Sequence, residues 1–173
     1  VEDHALLREI WKMILDAQPQ FTVVGMADSG EQAIRLAENL QPDLVMMDIQ
    51  LRGMDGISAT AAIRQSNPEV KILCVSLHNS SAYVRKIMAA GASGYLSKNA
   101  SQEEMINALF SVAEGKRFLS SEIKNILSDE ALGTKSGDAF NSLTDRERQI
   151  IELIKEGASS KEIATALNLS VKT

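Results

Sequence analysis

Short apolar runs alternate with segments of helical period through the first 114 residues, and no other feature constrains the fold as much. The runs are "FTVVGMA" (21–27), "DLVMMD" (43–48), "VKILCVSL" (70–77) and "GYLSK" (94–98), and Val1 reads as the end of one more. Leu6, Leu7, Ile10, Trp11, Ile14 and Leu15 repeat at helical spacing. Ser29 with Gln32, and Ser101 with Glu104, spell capping boxes that open two further helices. Two more helices are expected at 57–66, after a loop bracketed by Gly53 and Gly56, and at about 81–90, ended by Gly91. Strands this apolar cannot keep one face in water. They fit a parallel sheet whose right-handed crossovers place helices on both faces. The expected architecture is α/β, an open doubly wound sheet of five strands and five helices.

The rest of the chain changes character. Residues 115–142 read as a linker, with one short helix at about 120–127. From 143 the pattern is helical. Thr144 with Glu147 and Ser159 with Glu162 are capping boxes, Gly157 separates two short helices, and Ser170 reads as a third N-cap. Two short helices, a tight turn and a third start are the helix-turn-helix pattern. The chain opens at what reads as a strand end and stops just after a helix start, as expected of a piece cut at both ends.

Composition narrows the class. No apolar stretch approaches the ~20 residues of a membrane span, and no signal peptide opens the chain, so no membrane contact is expected. Cys74, the one cysteine, reads as a buried strand residue. Met46, Met47 and Trp11 read as core. The net charge of −5 comes from residues 1–115, which hold nine Lys and Arg against fourteen Asp and Glu; residues 116–173 hold nine of each.

In an open parallel sheet, ligands bind beyond the carboxyl ends of the strands. The expected strands deliver Glu2 and Asp3, then Asp48, then Ser76 with His78 close by, then Lys98. Carboxylates gathered there repel unless a cation joins them. An all-oxygen site with few protein ligands suits Mg²⁺, which keeps several waters and works with phosphate oxygens. The set fits a phosphoryl group, with Asp48 as nucleophile, Mg²⁺ bridging oxygens, and Ser76 and Lys98 contacting the product. Asp55, inside "GMDG", reads as a turn residue. His4 and His78 lack the spacing of zinc ligands.

The stretches "VEDH", "PDLVMMD", "GMDG", "ILCVSLH" and "GYLSK" together resemble the receiver domain of two-component response regulators, over about residues 1–114. "LTDRERQIIELIKEGASSKEIATALNLSVKT" resembles a LuxR-type helix-turn-helix, over 143–173. The pair in this order resembles the NarL/FixJ family. The resemblance implies a flavodoxin-like (βα)5 receiver that takes a phosphoryl group on Asp48 from a sensor histidine kinase and controls transcription. It implies a regulator rather than an enzyme, one that assists its own Mg²⁺-dependent phosphorylation and dephosphorylation. Asp3 would be a direct metal ligand, Glu2 would act through water, and the backbone carbonyl of Gln50 would be the third protein ligand. Ser76 and Tyr95 match the switch pair and Lys98 the family's lysine. The family often has Pro where this loop reads Leu51-Arg52. A homodimer is expected on phosphorylation. In the helix-turn-helix, Lys161, Lys172 and Thr173 are candidate DNA contacts. The recognition helix would begin near Val171 with its base-reading positions beyond Thr173, so residues 1–173 alone are not expected to bind DNA specifically.

Two other readings remain open at this point: a switch that works through protein contacts without phosphorylation, and a hydrolase using Asp48 on a small phosphate ester. The full set of acids, hydroxyl and lysine weighs against the first. Against the second, Gln50 stands where a general acid would be needed.

Overall fold

A computed structural model of the chain describes residues 1–77 and 80–131. In chain order these form α1 (Ala5–Asp16), α2 (Gly30–Leu40), β1 (Leu44–Asp48), α3 (Gly56–Ser66), β2 (Lys71–Ser76), α4 (Ser81–Ala89), β3 (Gly94–Ser97), α5 (Gln102–Ala113), β4 (Phe118–Leu119) and α6 (Ser121–Ala131). The sheet runs β1-β2-β3-β4, and every pairing is parallel. His78, the helix-turn-helix at 143–173 and its Lys161, Lys172 and Thr173 lie outside the described residues.

Successive strand side chains point to opposite faces, and here both faces are buried. Val45, Met47, Ile72, Cys74 and Tyr95 pack with Ala33 and Ala37 of α2, Ala59 and Ile63 of α3, Val84 and Ile87 of α4, and Ile123 of α6. Met46, Leu73, Val75 and Leu96 pack with Met105, Ala108, Leu109 and Val112 of α5, against which half-buried Trp11, Ile14 and Leu15 of α1 are laid. The result is the doubly wound α/β fold expected from the apolar runs. Cys74 is buried as expected, and burial pushes its thiol up to about 12, so it is held protonated.

The strand count differs from the expectation of five. The first two expected strands are not ladders. Val1 and Glu2 lie beside β1, where the Asp48 N–H donates to Val1 O (3.1 Å), and the Glu2 N–H donates to Ala27 O (3.0 Å). The Val1 amine also donates to Met46 O at 2.7 Å. The order is that of a flavodoxin-like sheet, but these few bonds, rather than ladders, tie its first two positions among the described residues. A ladder needs successive partners, and Val1 to Asp3 are followed at once by His4, the N-cap of α1. The β-rich run 21–27 therefore has one backbone partner there. Residues 20–27 instead line a cavity of about 780 Å³ with residues of α1, α2 and β1. Glu2, Asp3 and Asp48 do not line it.

Residues 115–131 are likewise more than a linker. Phe118 and Leu119 pair with Gly94 and Tyr95 as β4, and the helix expected at 120–127 is α6, with Ile123 fully buried in the core. A two-residue strand is too short to show any period, so nothing in the sequence separates it from loop.

Candidate functional site

The register of the sheet brings the strand ends to one edge. Asp48 is opposite Val75, Ser76 is opposite Ser97, and the Lys98 N–H donates to Ser76 O at 2.8 Å. Glu2 is 0% and Asp48 1% exposed. Lys98 Nζ lies between them, 2.7 Å from Glu2 Oε2 and 2.8 Å from Asp48 Oδ2. His4 Nδ1 is 2.8 Å from Glu2 Oε1 and 2.9 Å from Asp3 Oδ1. Arg8 donates to Glu2 O at 2.5 Å, and Arg52 Nε is 3.3 Å from Asp3 Oδ2. Glu2, Asp3, Asp48, Ser76 and Lys98 thus converge as the sequence implied.

Burial and pairing compete at these groups. Burial pushes the Asp48 carboxyl up, and the hydrogen bonds from Lys98 and the Gln50 N–H offset only part of that. Burial pulls the Lys98 ammonium down, but its bonds to Asp48 and Glu2 outweigh burial and leave it above an ordinary lysine. The Lys98 ammonium also stands 5.6 Å from the centre of the Trp11 ring, within cation–π range. That contact ties the side chain of Trp11 to the acid cluster, and the sequence carried no sign of it.

Does a divalent cation fit here? Asp3 Oδ1 is buried and accepts no hydrogen bond from the described residues, the His4 approach being too poorly directed to count as one. An orphaned buried carboxylate oxygen next to two more acids is what an oxygen-ligated cation would satisfy. Ligand atoms of Glu2, Asp3 and His4 lie within 4.8 Å of one another. His4 was set aside by sequence spacing; its adjacency to the acid pair was the available signal. Gln50 is placed by its N–H, which donates to Asp48 Oδ1 at 3.0 Å.

The loop from 49 to 56 is pinned at several points. Asp55 caps α3, accepting the Ser58 N–H at 2.7 Å, which gives the expected turn residue a definite task. The Gly56 N–H donates to Ile49 O at 2.9 Å, and a Cβ on Gly56 would fall 1.9 Å from Asp48 O. Gly53 takes φ of +78°, a conformation that favours glycine. From α2, Glu31 Oε1 accepts the Met54 N–H at 3.1 Å.

Behind the acids, Ser76 and Tyr95 are both fully buried, and the Ser76 hydroxyl hydrogen-bonds the Tyr95 hydroxyl. Burial pushes that phenol up to about 12. The ring is therefore already inside the core, on the α4 and α6 face of the sheet.

Acids, a hydroxyl and a lysine at the carboxyl edge of a parallel sheet suit a divalent cation and a phosphoryl group. The comparisons agree. Residues 1–110 match the family described as "Response regulator receiver domain", and residues 141–173 match "Bacterial regulatory proteins, luxR family". The chain is 37% identical over 174 residues to the response regulator UvrY of Escherichia coli (strain K12), covering all of this chain and 80% of that protein. It is 37% identical over 175 residues to the response regulator GacA of Pseudomonas aeruginosa, covering all of this chain and 81% of that one. A crystal structure of a LuxR-family two-component response regulator from Aurantimonas sp. SI85-9A1 superposes with a TM-score of 0.74 at 34% identity, over 76% of this chain and 94% of that one. The chain belongs to the response regulators of the NarL/FixJ family, a receiver domain joined to a LuxR-type DNA-binding region. Among the described residues, no helix is long and apolar enough to cross a membrane.

Proposed function

We propose that Asp48 accepts a phosphoryl group from a sensor histidine kinase and that the resulting state controls transcription through the LuxR-type region. The observation that supports this reading is the buried Glu2–Lys98–Asp48 bridge, in which the Asp48 carboxylate meets the Lys98 ammonium. In the transfer, an oxygen of Asp48 attacks phosphorus, the bond from phosphorus to the kinase histidine nitrogen breaks, and the electron pair leaves with the imidazole. Asp3, Asp48 and the Gln50 carbonyl would hold Mg²⁺, with Glu2 acting through water. The ion when bound would neutralise charge on the phosphoryl oxygens. The Gln50 N–H steadies Asp48, and Lys98 is within reach to follow the new negative charge.

Ser76 is the group on β2 that faces the same edge. A phosphoryl group offers strong acceptors and added negative charge. A Ser76 hydroxyl drawn toward it gives up its bond to Tyr95, so the signal passes from site to core in one exchange of partners. Tyr95 lies against α4 and α6, and that face would carry the output, with a homodimer and DNA binding as the response. On this reading the protein is a cytoplasmic regulator rather than an enzyme, assisting only its own phosphorylation and dephosphorylation. We propose the divisions 1–114 for the receiver, 115–142 for a connection whose β4 and α6 pack onto the receiver, and 143–173 for the helix-turn-helix, with Lys161, Lys172 and Thr173 as candidate DNA contacts. The Asp48→Asn chain should take up no phosphate from acetyl phosphate and Mg²⁺. Labelling equal to wild type would sink the assignment.

A further inference from the structure

Arg52 has a place in the acid cluster that the proposed chemistry does not use. Its Nε is 3.3 Å from Asp3 Oδ2, and its terminal nitrogen lies 3.4 Å from Asp3 O. The Arg52 side chain is 82% exposed, whereas Asp3 is 11% exposed. The loop that carries Arg52 is not free to drift. The Met54 N–H is held by Glu31, the Gly56 N–H is held by Ile49 O, and Asp55 is engaged as the cap of α3. A fixed backbone thus aims an exposed guanidinium at one carboxylate.

The other lysine and arginine of the cluster are committed elsewhere, Arg8 to Glu2 O. Lys98 spans Glu2 and Asp48, and the hydrogen bond from His4 goes to Glu2. Arg52 is the arginine or lysine that the described residues pair with Asp3. A divalent ion coordinated by Asp3 would stand within a few ångströms of that guanidinium, and like charges at such separations repel. One of the two must yield, and the exposed, flexible side chain can do so without disturbing the core.

We propose that Arg52 is a built-in competitor for the divalent cation at Asp3, one that lowers the affinity of the site and swings away as the ion binds. The inference rests on the reading of the acid cluster as a divalent-cation site. It makes Arg52 an affinity-setting residue for the ion that the proposed phosphorylation uses.

The test is calorimetric titration of Mg²⁺ into the full chain at constant ionic strength, with wild type, Arg52→Ala, Arg52→Gln and Asp3→Ala. Both Arg52 variants should bind Mg²⁺ about two- to five-fold tighter, the range that an exposed ion pair can supply. The gap should narrow as KCl is raised, because the competing pair is screened. Asp3→Ala should lose binding. If Asp3→Ala loses binding but both Arg52 variants match wild type or bind more weakly, the competitor role is overturned and the metal site stands. If wild type binds no Mg²⁺, or Asp3→Ala binds as well as wild type, both fall.

Discussion

Lys98 reaches two buried carboxylates that belong to segments 46 residues apart in the sequence, Glu2 and Asp48. Replacing it by alanine would leave both acids without their ammonium. Breaking a buried pair in this way costs about 3 kcal/mol or more. The sign of its pH dependence follows from the shifts. Asp48 already sits above an ordinary carboxyl because of burial, and it would rise further without Lys98. A carboxyl raised on folding makes the native state hold its proton longer, so stability falls as pH climbs past the unfolded value. The Lys98→Ala penalty should therefore be larger at pH 7.5 than at pH 5, read by thermal unfolding; a penalty that grows on acidification would contradict the pairing. In wild type, the raised Lys98 contributes stability that is fully present below the ordinary lysine value of 10.5 and is lost as pH rises through the folded one. Which residues would meet was legible where the chain itself delivers them: Asp48, Ser76 and Lys98 stand at the ends of apolar runs. The contacts of Arg52 and Trp11 were not, because no period or cap marks a contact made between one loop or helix and another.

At the level of elements, the local rules did well and their destinations did less well. Ser29, Ser80 and Ser101 each accept a backbone N–H of the helix they open, as N-caps should. The Ser101 box has an unexpected end. Glu104 gives its N–H to Ser101 Oγ at 3.1 Å, but its carboxylate takes the Ser121 N–H at 3.2 Å, joining α5 to the start of α6. That partner is 17 residues away, beyond the reach of a local signature. The loop between β1 and α3 gives the sharper test. Alanine at Gly56 would drive a Cβ into the backbone oxygen of Asp48, where no side-chain rotation gives relief. A loss of about 3 kcal/mol or more is expected on urea denaturation. Alanine at Asp55 should cost only about 1 kcal/mol, the worth of a cap. Equal losses would mean that the close approach is not the constraint.

For the whole molecule, the doubly wound architecture was legible because both strand faces are apolar, while the strand count was not. Periodicity cannot tell whether the run 21–27 finds a partner, and it cannot see a two-residue strand at all. The proposed output also belongs to this scale. With beryllofluoride and Mg²⁺, the chain should sediment as a dimer and without them as a monomer; a single unchanged species would remove dimerisation from the proposal. Tyr95→Phe, which deletes the hydroxyl that Ser76 holds, should still take up phosphate but should weaken that shift.

The sheet order matters in one more way. Chain order and spatial order coincide from β1 to β4, so each strand can settle on the one before it by a short crossover. Glu2 and Asp3 arrive differently. Val1 joins the edge of β1 at Asp48 only by closing a loop of almost fifty residues. Contacts of such sequence separation are among the slowest to form, because their entropy is lost before they contribute anything. A chain could therefore have its sheet in place while its acid cluster is still in two pieces. Competence to receive a signal would then be acquired last, and would serve as a check that assembly is finished.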